Sequence, residues 1–229
     1  MNAFLFGVVP YLCVALLVVG AFRRFRAMRY TVTTSSSQML ESRLQYWGSV
    51  SWHYAILLVL LAHLVAIFLP GLLTAVLSAP GRLVAIEVTG LALGLTALWG
   101  LVVLGVRRVT LRGETTWLDW AVMALLFVQV ATGVWTSVTA RWGYAWFPHV
   151  ATPWLASMAR LSPRVDLVAV MPWPFQVHAV NAFVLLALVP YTRLAHVVVA
   201  PLEYLWRLPQ VVIWRRPRPA APAAPGGSR

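Results

Sequence analysis

No charged residue lies between Arg43 and Arg82. So long an uncharged stretch belongs in lipid rather than in a water-soluble core, because about 20 apolar residues in a helix cross the hydrocarbon layer. The pattern recurs, with apolar runs at about 3–22, 49–69, 83–106, 120–140 and 175–200, most of them ended by arginine or proline. Only 10% of the residues are charged, against about 25% in soluble domains. The expected fold is an all-α integral membrane protein, a bundle of five transmembrane helices. The first run lacks a basic leader and reads as a retained helix rather than a signal peptide. Soluble enzymes, disordered chains and disulfide scaffolds are excluded. Cys13 is the single cysteine, which also rules out a Cys-x-x-Cys-His site for covalent haem.

All 18 basic residues are arginines, and the net charge is +12. In a soluble chain that balance would point to nucleic acid; here the arginines gather at the ends of apolar runs and no nucleic-acid partner is expected. With five spans, thirteen of the eighteen fall on one side of the membrane. Basic residues favour the cytoplasmic face, so the N-terminus is expected outside and the C-terminus inside. Residues 72–81 are too short to cross and read as an outer loop. The stretch 141–174, rich in tryptophan and carrying Pro148, Pro153, Pro163, Pro172 and Pro174, reads as an irregular, partly amphipathic outer excursion. Residues 1–214 form the membrane domain, and 215–229 a disordered basic, Pro/Ala-rich cytoplasmic tail.

Four of the five histidines lie within spans: His53 and His63 in the second, His178 and His196 in the fifth. Ionisable groups are costly in a bilayer and are usually functional there. The chain crosses the membrane twice between these spans, so they run antiparallel. His53 and His196 then lie toward the cytoplasm, and His63 and His178 lie deeper toward the outside. Each pair offers two axial nitrogens to one haem iron, giving two stacked non-covalent b-type haems. His178 and His196 are five full turns apart and share a helix face, whereas His53 and His63 are about 80° out of phase. Joining both pairs requires tilt and a bend at Pro190. Zinc needs four convergent ligands, and a proton relay needs buried carboxylates; only Glu87 and Asp119 approach a span. The open alternative is a haem-free scaffold or transporter whose histidines bond helices together.

The segment Ser36-Ser37-Gln38-Met39-Leu40 and the stretch from Pro190 to Leu205, which includes Pro-Tyr-Thr-Arg-Leu-Ala-His, carry a family resemblance. With the histidine spacings, they make the chain similar to the gamma subunit of respiratory nitrate reductase, a membrane dihaem cytochrome b, up to about Trp214. The resemblance implies His53 and His196 on the haem nearer the cytoplasm and His63 and His178 on the distal one. It also implies oxidation of a lipid quinol beside the distal haem, with protons released outside. Electrons would pass inward to a cytoplasmic iron–sulfur subunit and a molybdenum catalytic subunit that reduces nitrate. The family has a lysine near the start of the third span, where this chain has Arg82, and a glycine where it has Ala62. Arg82, His63, Ala62 and Glu87 are the expected quinol-site residues. A related cytochrome serving another cytoplasmic reductase has the same histidine pattern.

Arg193 reads as a partner for a haem propionate or as a snorkelling anchor. Ser51, Tyr54 or a main-chain carbonyl would orient a ligating imidazole through its second nitrogen. His149 is expected on the outer surface, and Gln129 and Asp119 in structural hydrogen bonds. Segment 23–48 and the tail after Pro201 are the expected docking surface for soluble subunits.

Overall fold

The computed structural model describes residues 1–27, 43–111, 116–139 and 147–197. Outside them lie the Ser36–Leu40 motif, most of segment 23–48, the residues after Val197 and the tail. Among the described residues the structure is helical, with no strand, and five helices are long and apolar enough to cross a membrane. These are α1 (Val9–Ala27, entered through a π-helical turn at Phe4–Val8), α2 (Arg43–Phe68), α4 (Pro80–Leu111), α5 (Trp117–Thr139) and α8 (Trp173–Leu188). Shorter helices connect them: α3 (Pro70–Leu77), α6 (Thr152–Ala159) and α7 (Asp166–Ala169).

Two connecting segments are more ordered than the sequence suggests. Residues 72–81, expected as a loop, lie largely in α3. Pro70 ends one helix and starts the next: Leu69 leaves helical geometry (φ −126°, ψ 53°), and proline then takes a first-turn position where its missing N–H costs nothing. Within 147–174, part of the stretch expected to be an irregular excursion, a π-helical turn at Phe147–Ala151 leads into α6, and α7 follows. A Schellman-type ending closes α6, with Leu161 at φ 58° and the Ser162 N–H on the Ser157 carbonyl at 3.0 Å.

Helix α2 packs chiefly on α4, α4 on α5, α5 on α8, and α8 on α1. The α2–α4 seam is made of small residues, Gly48 and Ala55 facing Ala97 and Gly100, which let the backbones approach closely. At the end of the bundle that carries α6 and α7, Trp154 sits at the centre of a cluster with Phe6, Met158, Val168 and Phe175. Its indole N–H donates to the Phe6 carbonyl at 3.3 Å, and Phe6 and Phe183 present ring edges to it. Trp154→Ala is expected to cost about 3–5 kcal/mol, read as a lower melting temperature of the detergent-solubilised protein; an unchanged melting curve would refute this role.

The fifth span is a regular helix only to Leu188, not to Ala200 as the apolar run implied. Pro190 cannot donate to the ladder, and the chain continues as 3-10 turns at Val189–Tyr191 and Arg193–Val197, separated by extended Thr192. Helix α1 braces this break. Arg24 Nη1 donates to the Pro190 carbonyl at 2.7 Å, and the Tyr191 hydroxyl donates to the Leu16 carbonyl at 3.3 Å. Gly20 permits the approach, since a Cβ there would stand 2.6 Å from Pro190 Cγ.

Candidate functional site

The four intramembrane histidines meet in two cross-bundle pairs. The ring centroids of His53 and His196 are 6.2 Å apart at 60°, and those of His63 and His178 are 6.4 Å apart at 34°. Helices α2 and α8 are not among the closely packed pairs, so their approach is marked by rings rather than by backbone contact. The face-sharing arithmetic for His178 and His196 does not apply, because the helix between them breaks. The break frees His196 from the register of His178, as the out-of-phase positions of His53 and His63 require.

Every one of the four rings has its Nδ1 on a main-chain carbonyl. The acceptors are Ser49 O for His53 (2.8 Å), Val59 O for His63 (2.7 Å), Gln129 O for His178 (2.9 Å) and Arg193 O for His196 (2.6 Å). A carbonyl oxygen can only accept, so each Nδ1 carries a hydrogen, and in the neutral ring Nε2 is then the nitrogen with the lone pair. Of the orienting groups the sequence offered, the carbonyls serve, and neither Ser51 nor Tyr54 does. Ser49 adds its hydroxyl, 3.1 Å from His53 Nδ1.

This arrangement fits axial ligation of a haem iron. A metal–imidazole bond of about 2.0 Å and roughly 1.1 Å from nitrogen to ring centre put two axial rings roughly 6.3 Å apart. Both pairs have that spacing. Among the described residues, no three His, Cys, Asp or Glu side chains converge as a metal group; the histidines meet in twos. Gly133 supplies a flat surface beside the deeper pair, since a Cβ there would lie 2.9 Å from His178 Cε1.

The other expected site residues are dispersed. Arg193 is held by Asp119, Nε to Oδ1 at 3.2 Å, and its own carbonyl serves His196. Asp119 also closes a capping box with Thr116 at the start of α5. Arg82 caps α3, with Nε on the Val76 carbonyl at 2.8 Å and Nη2 on the Ala75 carbonyl at 3.1 Å. Ala62 lies on the outside of the bundle, Glu87 is half-buried on α4, and His149 is exposed. Phe147, from the outer excursion, sets its ring edge-on to His63 at 5.6 Å. Sequence reasoning missed Gly133 and Asn181, which the fold brings beside His178; a glycine and an asparagine inside apolar runs were the only available signals.

Comparison with known proteins adds an independent line. A family model described as nitrate reductase gamma subunit matches residues 2–215. The chain is 34% identical over 216 residues to the nitrate reductase-like protein NarX of Mycobacterium tuberculosis, covering 90% of this chain but 33% of that protein. It therefore spans about a third of the length of that relative. It is 29% identical to the nitrate reductase gamma chain of Bacillus subtilis, covering 93% of this chain and 97% of the relative. To the respiratory nitrate reductase 1 gamma chain of Escherichia coli it is 30% identical, covering 93% and 97%.

Proposed function

Since this chain belongs to the nitrate reductase gamma subunit family, we propose that it is the membrane subunit through which quinol feeds electrons to a cytoplasmic nitrate reductase. Its five long apolar helices and its family make it a multi-pass protein of the bacterial cytoplasmic membrane. The proposal has three parts: oxidation of a lipid quinol near the outer face, two b-type haems within the bundle, and delivery to an iron–sulfur subunit and a molybdenum subunit inside. The positive-inside distribution of arginines supports the orientation, with the N-terminus outside.

The observation that carries the reading is the pairing itself. Two pairs of imidazoles stand with centroids 6.2 and 6.4 Å apart, and each ring bonds its Nδ1 to the main chain, which in the neutral form would leave Nε2 for a metal. When bound, each haem supplies a one-electron carrier within the low-dielectric interior. His53 and His196 would hold the haem nearer the cytoplasm, and His63 and His178 the one nearer the outside. Arg193, anchored by Asp119, holds the turn that carries His196 and keeps a cation near the cytoplasmic pair. For the quinol, the reading assigns the region around His63, Ala62 and the start of α4. There Arg82 retains N–H groups on Nη1 beyond its bonds to α3, and Glu87 provides a carboxylate toward the outer end of the span.

The test is a dithionite-reduced minus oxidised spectrum of the full chain, purified with its partner subunits and with haem quantified per polypeptide. About two b-type haems per chain are expected from two histidine pairs. A well-folded complex made with ample haem and containing none would overturn the reading and leave the haem-free scaffold.

A further inference from the structure

His178 differs from the other three histidines in where its orienting carbonyl comes from. His53, His63 and His196 bond to carbonyls three or four residues back on their own segment, so local helix geometry aims them. The acceptor for His178 is Gln129, on a different helix. Its aim therefore depends on how α8 is set against α5.

Asn181 fixes that setting. It lies three residues after His178, on the same face of α8, and its side chain is buried between the two helices. Its amide nitrogen donates to the Leu125 carbonyl at 2.9 Å and to Gln129 Oε1 at 2.8 Å. Both acceptors are on α5, one turn apart. The second bond also orients the Gln129 amide, whose nitrogen then lies 3.2 Å from His178 Nδ1 and 3.1 Å from Nε2. Gln129 thus meets the ring twice, its carbonyl accepting from Nδ1 and its side-chain amide packing against the edge that carries both nitrogens. The carbonyl bond puts a hydrogen on Nδ1, and in the neutral ring that leaves Nε2 as the nitrogen able to ligate iron. Thr132 Oγ1, 3.5 Å from Nδ1, and the bare face of Gly133 complete the seat.

We propose that Asn181 is a positioning residue for His178, pinning α5 against α8 through Gln129 and the Leu125 carbonyl so that the ring is aimed before iron arrives. The inference rests on the haem reading above. It assigns a role on the distal pair alone, because His53 and His196 have no bond to this network among those described.

The experiment compares the wild-type complex with Asn181→Leu, which keeps the branched shape without the polar groups, and Asn181→Ala, which removes any clash as a cause. Each is assayed for haem per chain, and by electron paramagnetic resonance for the two low-spin signals. Thr136→Val, which removes a buried hydroxyl bonded only within α5, is the control and should match wild type. Removing groups that orient a metal ligand typically weakens binding about ten- to a hundredfold, so the His63–His178 haem is expected to be lost on dilution, or retained with a shifted signal. The His53–His196 haem should be unchanged and reports that the bundle is folded. Two fully retained haems with unshifted signals would overturn the proposal. So would equal loss of both haems, which would give Asn181 a general role in the fold. A wild-type complex without haem would defeat the underlying reading instead, an outcome distinct from these.

Discussion

Replacing His63 or His178 with alanine is expected to abolish quinol-driven nitrate reduction while sparing nitrate reduction driven by a small reductant that reaches the cytoplasmic subunits directly. Each substitution leaves its partner ring alone at a spacing meant for two, with no other histidine, cysteine or carboxylate grouped nearby among the described residues. A haem held on one side only is weakly bound, so one of two haems should be missing from the purified complex. The His53–His196 pair has its own carbonyl acceptors, so its haem should survive. His53→Ala and His196→Ala should give the complementary loss. The measurement is haem content per chain together with the two activities on the same preparation. Retention of both haems in His178→Ala would remove the histidine from the ligand set.

The second large effect is expected at Gly100. A Cβ there would stand 2.6 Å from the Trp52 nitrogen and 2.9 Å from the Gly48 carbonyl oxygen. These are backbone atoms that no rotamer change can move, so α2 must retreat from α4. Overpacking of this kind costs about 1–3 kcal/mol and sometimes more. Retreat also carries away His53, the next residue after Trp52, so Gly100→Ala should loosen the haem proposed at His53 and His196 before the other, and Gly100→Leu should prevent folded protein from accumulating. Gly90 on the same helix provides the contrast, with nothing within 4 Å of its added Cβ. Gly90→Ala should be neutral or stabilising by up to about 1 kcal/mol through helix propensity. Equal melting temperatures and haem contents for the two alanine variants would refute the seam argument.

The membrane architecture was legible because the bilayer imposes length and charge rules that individual residues obey openly. The pairing of the histidines was legible for the same reason: counting crossings fixes which ends of α2 and α8 lie together. What stayed hidden is what the main chain does. Carbonyl oxygens hold all four rings, and they leave no trace in side-chain identity. Pro190 signalled a bend, but its conversion into 3-10 turns around Thr192 depends on the bracing by Arg24 and Tyr191 from α1. Pro70-Gly71 was legible as a stop for α2, while its second use as the start of α3 was not. Glycines are equally silent, since Gly100 and Gly133 differ from Gly90 only in what the fold brings against them.

The carbonyl attachments have a consequence for the route of hydrogen ions. Each ring has two nitrogens, and one is already committed to a peptide oxygen through its own hydrogen. Once the other is coordinated, an imidazole has no basic site left. Four side chains that elsewhere serve as acid–base groups would then have both nitrogens occupied. An electron could cross the bundle while the hydrogen ions of its donor are turned back at the outer surface. Keeping the two kinds of charge apart would then follow from how the backbone holds its ligands, with no gate or moving part required.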